Sequence, residues 1–427
     1  MHIPASSPAP VESHAKGAVS KVESHAKGAV SEKTAMVSEK TALPHPCVER
    51  TLRARVARPD AEDAFFVADL GEVRRQLAAW RQALGRVQPF FAVKCNPDPR
   101  VVRLLAQLGA GFDCASRAEL QQVLSEGVGT DDVIYAHPCK PASHLRYARA
   151  AGVRLMTFDN ADELAKMSQL FPGARAVLRI LADDSAARCQ LGLKFGADPA
   201  AAPALLDAAQ RLGVDVVGVS FHVGSGSSSA AAFADAVARA RRVFDQAAAR
   251  GLRLQVLDVG GGFAGRGDDG LPFAAAAGAL SDALDAYFPP TQWGHVRIIA
   301  EPGRFFVASA FSLAVNVVAR RAEADRFMYY VNDGVYGSFN CIIFDHQHPQ
   351  ARVLHPRPGP LHAASVWGPT CDSIDCVVPA TRLPELCIGD WLVFDSMGAY
   401  TVCAASRFNG FGPPAVEYVD SEAAADI

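Results

Sequence analysis

Between residues 64 and 303 the chain repeats one theme: an apolar run, a polar or ionisable residue at its end, then a stretch with helical spacing. The apolar runs are AFFVADL at 64–70, PFFAVK at 89–94, GFDCAS at 111–116, VIYAHP at 133–138, RLMTFD at 154–159, AVLRIL at 176–181, VVGVSFHV at 216–223, LQVLDVGG at 254–261 and VRIIAEPG at 296–303. Segments rich in Ala, Leu, Arg and Glu, such as RAELQQVLSEG at 117–127 and AFADAVARARRVFDQAAARG at 232–251, lie between them. Near-continuous apolar runs suit strands covered on both faces. After the first run, eight such strands alternate with helices, which predicts an α/β fold built on a (β/α)8 TIM-like barrel. A doubly wound open sheet is the alternative that spacing alone leaves.

The texture changes after about residue 310. FSLAVNVVARR, FMYYVNDG, ASVWGPTC and DWLVFDSMGAYT are short β-rich runs punctuated by Gly, Pro and Asp, the pattern of a separate β-rich domain. At the other end VESHAKGAVS occurs at 11–20 and 22–31, and SEKTA at 31–35 and 38–42. Such short polar repeats bury too little apolar surface to offset the entropy of ordering. The expected organisation is a disordered tail at 1–43, a strand segment at 44–69 that joins the β-rich domain, a barrel at 70–309 and the β-rich domain at 310–427.

Composition narrows the function classes. At 427 residues the chain has room for two domains, and 50% hydrophobic with 20% charged residues is ordinary globular composition. A net charge of −3 gives no general attraction to nucleic acid or anionic lipid. No stretch approaches the ~20 apolar residues of a membrane helix, and the N-terminus lacks the apolar core of a secretory signal. Ten cysteines are scattered without CxxC pairs, so free thiols in a reducing, cytoplasmic setting are expected, and no metal site.

Candidate chemistry gathers where the strands end, which is where such a barrel carries its reactive groups. Those ends are Lys94, Asp113, His137, Asp159, Arg179, His222, Asp258 and Glu301. Any one alone reads as a loop anchor; together they read as a site. An apolar strand that climbs to Lys94 buries an ammonium at a cost, unless the amine is neutralised or bonded to a carbonyl. Glycine-rich turns follow two strand ends, HVGSGSSS at 222–229 and DVGGGF at 258–263, and suit either an anion or simple tight turns. Neither is GxGxxG or a P-loop. In IIAEPGR, Glu301 suits a cationic nitrogen and Arg304 a phosphate, or the two pair with each other. A lysine for a Schiff base, a phosphate cradle and a carboxylate for a ring nitrogen together describe pyridoxal 5'-phosphate.

With these residues in view, the chain from about 63 to 418 resembles the eukaryotic ornithine decarboxylases, in the alanine-racemase-like fold family of pyridoxal phosphate enzymes. PFFAVKCN, GFDCAS, FHVGSGS, LDVGGGF, AEPGRFFVASAF, YYVNDGVYGSFNC, WGPTCDSID and MGAYTVCAAS carry the resemblance. It implies that Lys94 carries the cofactor as a Schiff base, that His222 stacks on its ring and that Glu301 pairs with the ring nitrogen. Ser225, Gly262, Gly303, Arg304 and Tyr400 would hold the phosphate, with Asp113 and Arg179 lining the barrel mouth. Asp345 and, from a second subunit, Asp372 would grip the substrate's distal ammonium. Cys371, also from across the interface, would return a proton after CO2 leaves. The implied activity is decarboxylation of L-ornithine to putrescine, a step of polyamine biosynthesis, in a homodimer with shared sites.

One departure stands out: Phe344 precedes Asp345 where the family commonly has Tyr, which bears on selectivity toward L-lysine. A dual ornithine/lysine decarboxylase is therefore the alternative. A non-catalytic, antizyme-inhibitor-like binding protein is the rival of another class, and the presence of Lys94, Asp113, His222, Glu301, Arg304, Cys371 and Asp372 counts against it. Antizyme is a candidate regulator on the same resemblance.

Overall fold

The structure, a computed structural model, describes residues 44–268, 270–323 and 326–423. The repeat-containing segment at 1–43 lies outside the described residues. Strand β1 (Phe65–Asp69) comes first among the strands. The barrel strands follow as β2 (Val87–Ala92), β3 (Gly111–Cys114), β4 (Val133–Tyr135), β5 (Leu155–Phe158), β6 (Arg175–Arg179), β7 (Asp215–Ser220), β8 (Val256–Asp258) and β9 (Arg297–Ala300). These eight pair in parallel and close on themselves, β9 returning to β2. The barrel expected from the apolar rhythm is what forms, and the open-sheet alternative is excluded.

Strand periodicity explains how the barrel interior is filled. Side chains at i and i+2 share a face. Phe90, Ile134, Leu155, Val177, Val217, Val256 and Ile299 make a small cluster of their own inside the barrel. Their neighbours Phe91, Tyr135, Leu178 and Leu257 belong to the large cluster under the helices. Two residues beyond Val177, Val256 and Ile299 on the same face come Arg179, Asp258 and Glu301. Gly111 belongs to this layer too: a Cβ there would lie 2.7 Å from the Phe90 ring, so glycine makes room for the phenylalanine. Two residues beyond it comes Asp113. The apolar floor and the polar mouth are thus consequences of one pleat.

After the barrel come β10 (Phe311–Ala322), β11 (Arg326–Val331), β12 (Ala351–Val353), β13 (His362–Trp367), β14 (Cys376–Leu383), β15 (Trp391–Phe394) and β16 (Ala415–Val419). With β1 they form one eight-stranded sheet, whose main path runs β12-β15-β10-β11-β13-β14 with β1 and β16 attached beside it. β1 pairs antiparallel with β10 and parallel with β16, so residues preceding the barrel are woven into the sheet that follows it. Ahead of β1, within the segment read from the sequence as strand, stands a helix, Pro46–Val56. It buries Cys47, Val48 and Leu52 against Phe65, Val67, Trp391 and Val393, covering one sheet face.

Candidate active site

Lys94 sits on a single 3-10 turn, Val93–Cys95, just past β2. Three segments are stitched together there by backbone hydrogen bonds: Ala92 N–H donates to Pro302 O at 3.1 Å, and Tyr400 N–H to Cys95 O at 3.0 Å. The loops carrying Lys94, Glu301 and Tyr400 are therefore held in one register, although they lie up to 306 positions apart in sequence. They open on a cavity of about 370 Å³. Lys94, Arg179, His222, Ser225, Gly262, Glu301, Gly303, Arg304, Phe344, Asp345 and Tyr400 all line it.

The Lys94 ammonium is ion-paired with Asp113, whose carboxylate is wholly buried. The lysine side chain is 41% accessible because it borders the cavity. Burial opposes its charge, yet Asp113, Tyr400 and Glu301 together outweigh that and hold its pKa above the ordinary lysine value. The second Asp113 oxygen, Oδ1, has no partner. His222 Nδ1 accepts the Gly224 N–H at 2.9 Å, so a neutral ring carries its proton on Nε2. Burial, then Arg179 and Lys94, push its pKa well below the usual imidazole range, and the ring is neutral at pH 7. Gly261 lies against it: a Cβ there would stand 2.7 Å from Nε2, so this turn closes on the imidazole only as glycine.

Glu301 and Asp258 form a buried carboxyl pair beneath the cavity. Asp258 Oδ1 accepts the Gly260 N–H at 2.9 Å, and its Oδ2 finds no donor other than a protonated Glu301. Burial first pushes Asp258 up to about 6. Burial and the charges of Asp258 and Asp113 push Glu301 well above the carboxylate range. Arg304 is buried too, its guanidinium 5.3 Å from the Tyr400 ring centroid. It donates to Asp345 and lies 3.6 Å from Asp268. Asp345, expected to await an ammonium, is engaged here by Arg304 and, at 2.9 Å, by Gln347.

Cys371 and Asp372 are not among the cavity residues. They lie on the loop after β13, where Asp372 accepts the Tyr336 hydroxyl at 2.5 Å and Cys371 N–H donates to Asn409 at 3.0 Å. Asp159, a strand-end candidate, serves as a loop anchor, accepting the Gly196 N–H at 2.9 Å. Sequence reasoning left out Cys189, Leu191 and Phe195, which line the cavity from the long connection after β6. It also left out Asp268; the only signal was a polar cluster, GRGDDG, behind the DVGGGF turn.

These residues fit pyridoxal phosphate. An amine, an anion-binding guanidinium and the Ser225 and Tyr400 hydroxyls share one cavity. A Cβ on Gly262 would meet Gly224 O at 2.6 Å, so the two glycine turns touch backbone to backbone and a side chain would wedge them apart. Lys94 and Arg179 act on the Glu301–Asp258 pair only through space, with no ion pair to it among the described residues, and a ring N–H⁺ would supply that direct contact.

Comparison with known proteins agrees. The family model for the pyridoxal-dependent decarboxylase, pyridoxal binding domain, matches residues 70–308. The ornithine decarboxylase of Schizosaccharomyces pombe is 52% identical over 388 residues, covering 88% of each chain. Antizyme inhibitor 2 of Xenopus laevis is 50% identical, covering 86% of this chain and 84% of that one. Among solved structures, the lysine/ornithine decarboxylase of Vibrio vulnificus, complexed with cadaverine, superposes with a TM-score of 0.81 at 30% identity, covering 89% of this chain and 100% of that one. On the fold, the barrel-mouth residues and these matches, the chain belongs to the pyridoxal-dependent decarboxylase family.

Proposed function

We propose that the chain decarboxylates L-ornithine, releasing putrescine and CO2. The observation that carries this reading is the cavity itself: a charged Lys94 on a buried Asp113, an anion seat at Arg304 and the Asp345 carboxylate face one space of a size suited to a small molecule. Lys94 is the amine that would anchor the cofactor; Ser225, Gly262, Gly303, Arg304 and Tyr400 would hold its phosphate, and Glu301 its ring nitrogen. Bound there, pyridoxal phosphate supplies an electron-accepting ring for the charge left at Cα when CO2 departs.

The protein's own groups do the rest. Asp113 keeps a proton on Lys94 Nζ, ready for transfer. Arg179 borders the same space and offers a charge-assisted donor for a carboxylate. Neutral His222 covers one side without adding charge. Phe195, Leu191 and Phe263 exclude water from the walls, which strengthens each electrostatic contact. Asp345 is the carboxylate placed to receive a distal ammonium.

Asp372 and Cys371 complete the site from a second copy of the chain. Supporting this, Asp372 holds the Tyr336 hydroxyl, the Tyr336 ring lies tilted against Phe408 with centroids 4.5 Å apart, and Ile374 and Phe411 are also exposed nearby in sequence. An apolar surface of that kind suits a partner chain. All ten cysteines are free, which supports a cytoplasmic setting.

The second reading, dual use of ornithine and lysine, is favoured by Phe344. This ring is 66% exposed at the cavity wall and brings no hydroxyl to the pocket. Mass spectrometry of diamines made from each amino acid by purified protein with pyridoxal phosphate separates the readings. Putrescine far above cadaverine supports the first, comparable amounts the second, and neither diamine defeats both.

A further inference from the structure

Arg304 has more anionic claimants than one guanidinium can serve. Its side chain is buried, donates to Asp345 Oδ2 and lies 3.6 Å from Asp268 Oδ2. The reading above adds a phosphate. The two carboxylates differ in what ties them down. Asp268 is fixed by the Gly265 N–H at 2.9 Å and does not border the main cavity. Asp345 does border it, at the end of the short helix Cys341–Phe344, next to the exposed Phe344. Its other contacts are the Gln347 amide at 2.9 Å and the Cys189 thiol at 3.6 Å, both neutral. Arg304 is thus the cation that neutralises Asp345, and a carboxylate neutralised in this way attracts a second cation weakly.

We propose that Asp345 and the cofactor's phosphate compete for Arg304, so that seating the phosphate turns Asp345 toward the substrate's distal ammonium. The inference rests on the functional reading above, which gives Arg304 to phosphate and Asp345 to the diamine. Its consequence is a coupling between two binding events. A phosphate on Arg304 frees Asp345, and a diamine on Asp345 frees Arg304. By linkage each ligand improves the other's affinity by the same factor, typically about 5- to 150-fold. The enzyme would gather its substrate's distal amine only once the cofactor is seated.

The test uses the full-length apoprotein and 4'-deoxypyridoxine 5'-phosphate, which has the ring and phosphate but no aldehyde to react with amines. Calorimetry gives its affinity with and without putrescine. The expected result is tightening by at least roughly fivefold, with the same factor for putrescine when the analogue is bound. Asp345→Asn should tighten the analogue without putrescine and remove the putrescine effect. Unchanged analogue affinity in the wild-type protein with putrescine overturns the inference, and so does an Asp345→Asn protein that binds the analogue more weakly. A wild-type enzyme that makes putrescine yet shows no coupling sinks this inference alone. One that makes no diamine sinks the functional reading instead.

Discussion

Where the barrel strands begin lies a cavity of about 530 Å³, bordered by Arg81, Arg86 and Arg297 with Trp293. Where they finish lies the smaller one, about 370 Å³, bordered by Lys94, His222, Glu301 and Arg304. At the first end every arginine is answered. Arg86 reaches Asp285 and Phe288 O, each at 2.7 Å; Arg297 reaches Asp132 and Asp131 O, each at 2.7 Å; Arg81 caps Leu108 O at 2.5 Å. These half-exposed pairs close helix ends and loops. At the second end the charges are buried and crowded, with Asp113 Oδ1 left unpartnered and Asp258 Oδ2 dependent on a proton shared with Glu301. Cavity volume does not mark the site; unsatisfied, costly charge does.

That contrast can be broken from either end. Replacing Lys94 by Ala should lower kcat by about 100- to 10,000-fold while far-UV circular dichroism stays unchanged. Steady-state CO2 release reads this, and turnover near the wild-type rate would remove the lysine from the chemistry.

The carboxyl pair gives the next largest effect, on stability. Asp258 rises from an ordinary 3.8 to about 6 in the fold. The raised value stabilises the fold below the unfolded pKa, and that contribution is lost as pH rises through about 6. Asp258→Asn should therefore stabilise the apoprotein at pH 8 by up to about 3 kcal/mol, with a smaller gain at pH 5. Denaturant unfolding at the two pH values checks the sign; an equal or reversed gain would contradict the buried-carboxyl picture.

At the opposite end Arg297→Ala should cost about 1 to 2 kcal/mol of stability, from its hydrogen bonds and ion pair, and leave kcat within error. A large loss of kcat there would erase the distinction between the two ends. The smallest effect belongs to the cavity wall. Phe344→Tyr should shift the ornithine-to-lysine ratio of kcat/KM by about two- to tenfold, the worth of one hydrogen bond. Competition between the two amino acids in one vessel reads that ratio directly.

The barrel was legible because its strands are buried on both faces. Each therefore appears as an unbroken apolar run, and each run ends on a residue too polar to continue. The sheet was harder to read. β14 alternates poorly, carries Pro379 and buries only Val377 and Leu383, while β12 has only three residues, none fully buried. The helix Pro46–Val56 buries just Cys47, Val48 and Leu52, too few to announce a helical face among its three arginines. At the site, Lys94, Glu301 and Arg304 stand on strand ends or the turns after them, where the pattern points. Asp268 and Phe195 come from irregular loops, whose positions are set by tertiary contacts. The Arg304–Asp345 pair joins barrel to sheet across 41 positions, and no local spacing encodes it.

The central claim is that Lys94 is the amine that holds pyridoxal phosphate. The direct measurement is borohydride reduction of the cofactor-loaded enzyme, followed by peptide mass spectrometry. The phosphopyridoxyl mass is expected on the peptide containing Lys94 and should be absent in Lys94→Ala. The label on another lysine, such as the buried Lys140, with Lys94 unmodified, would contradict it.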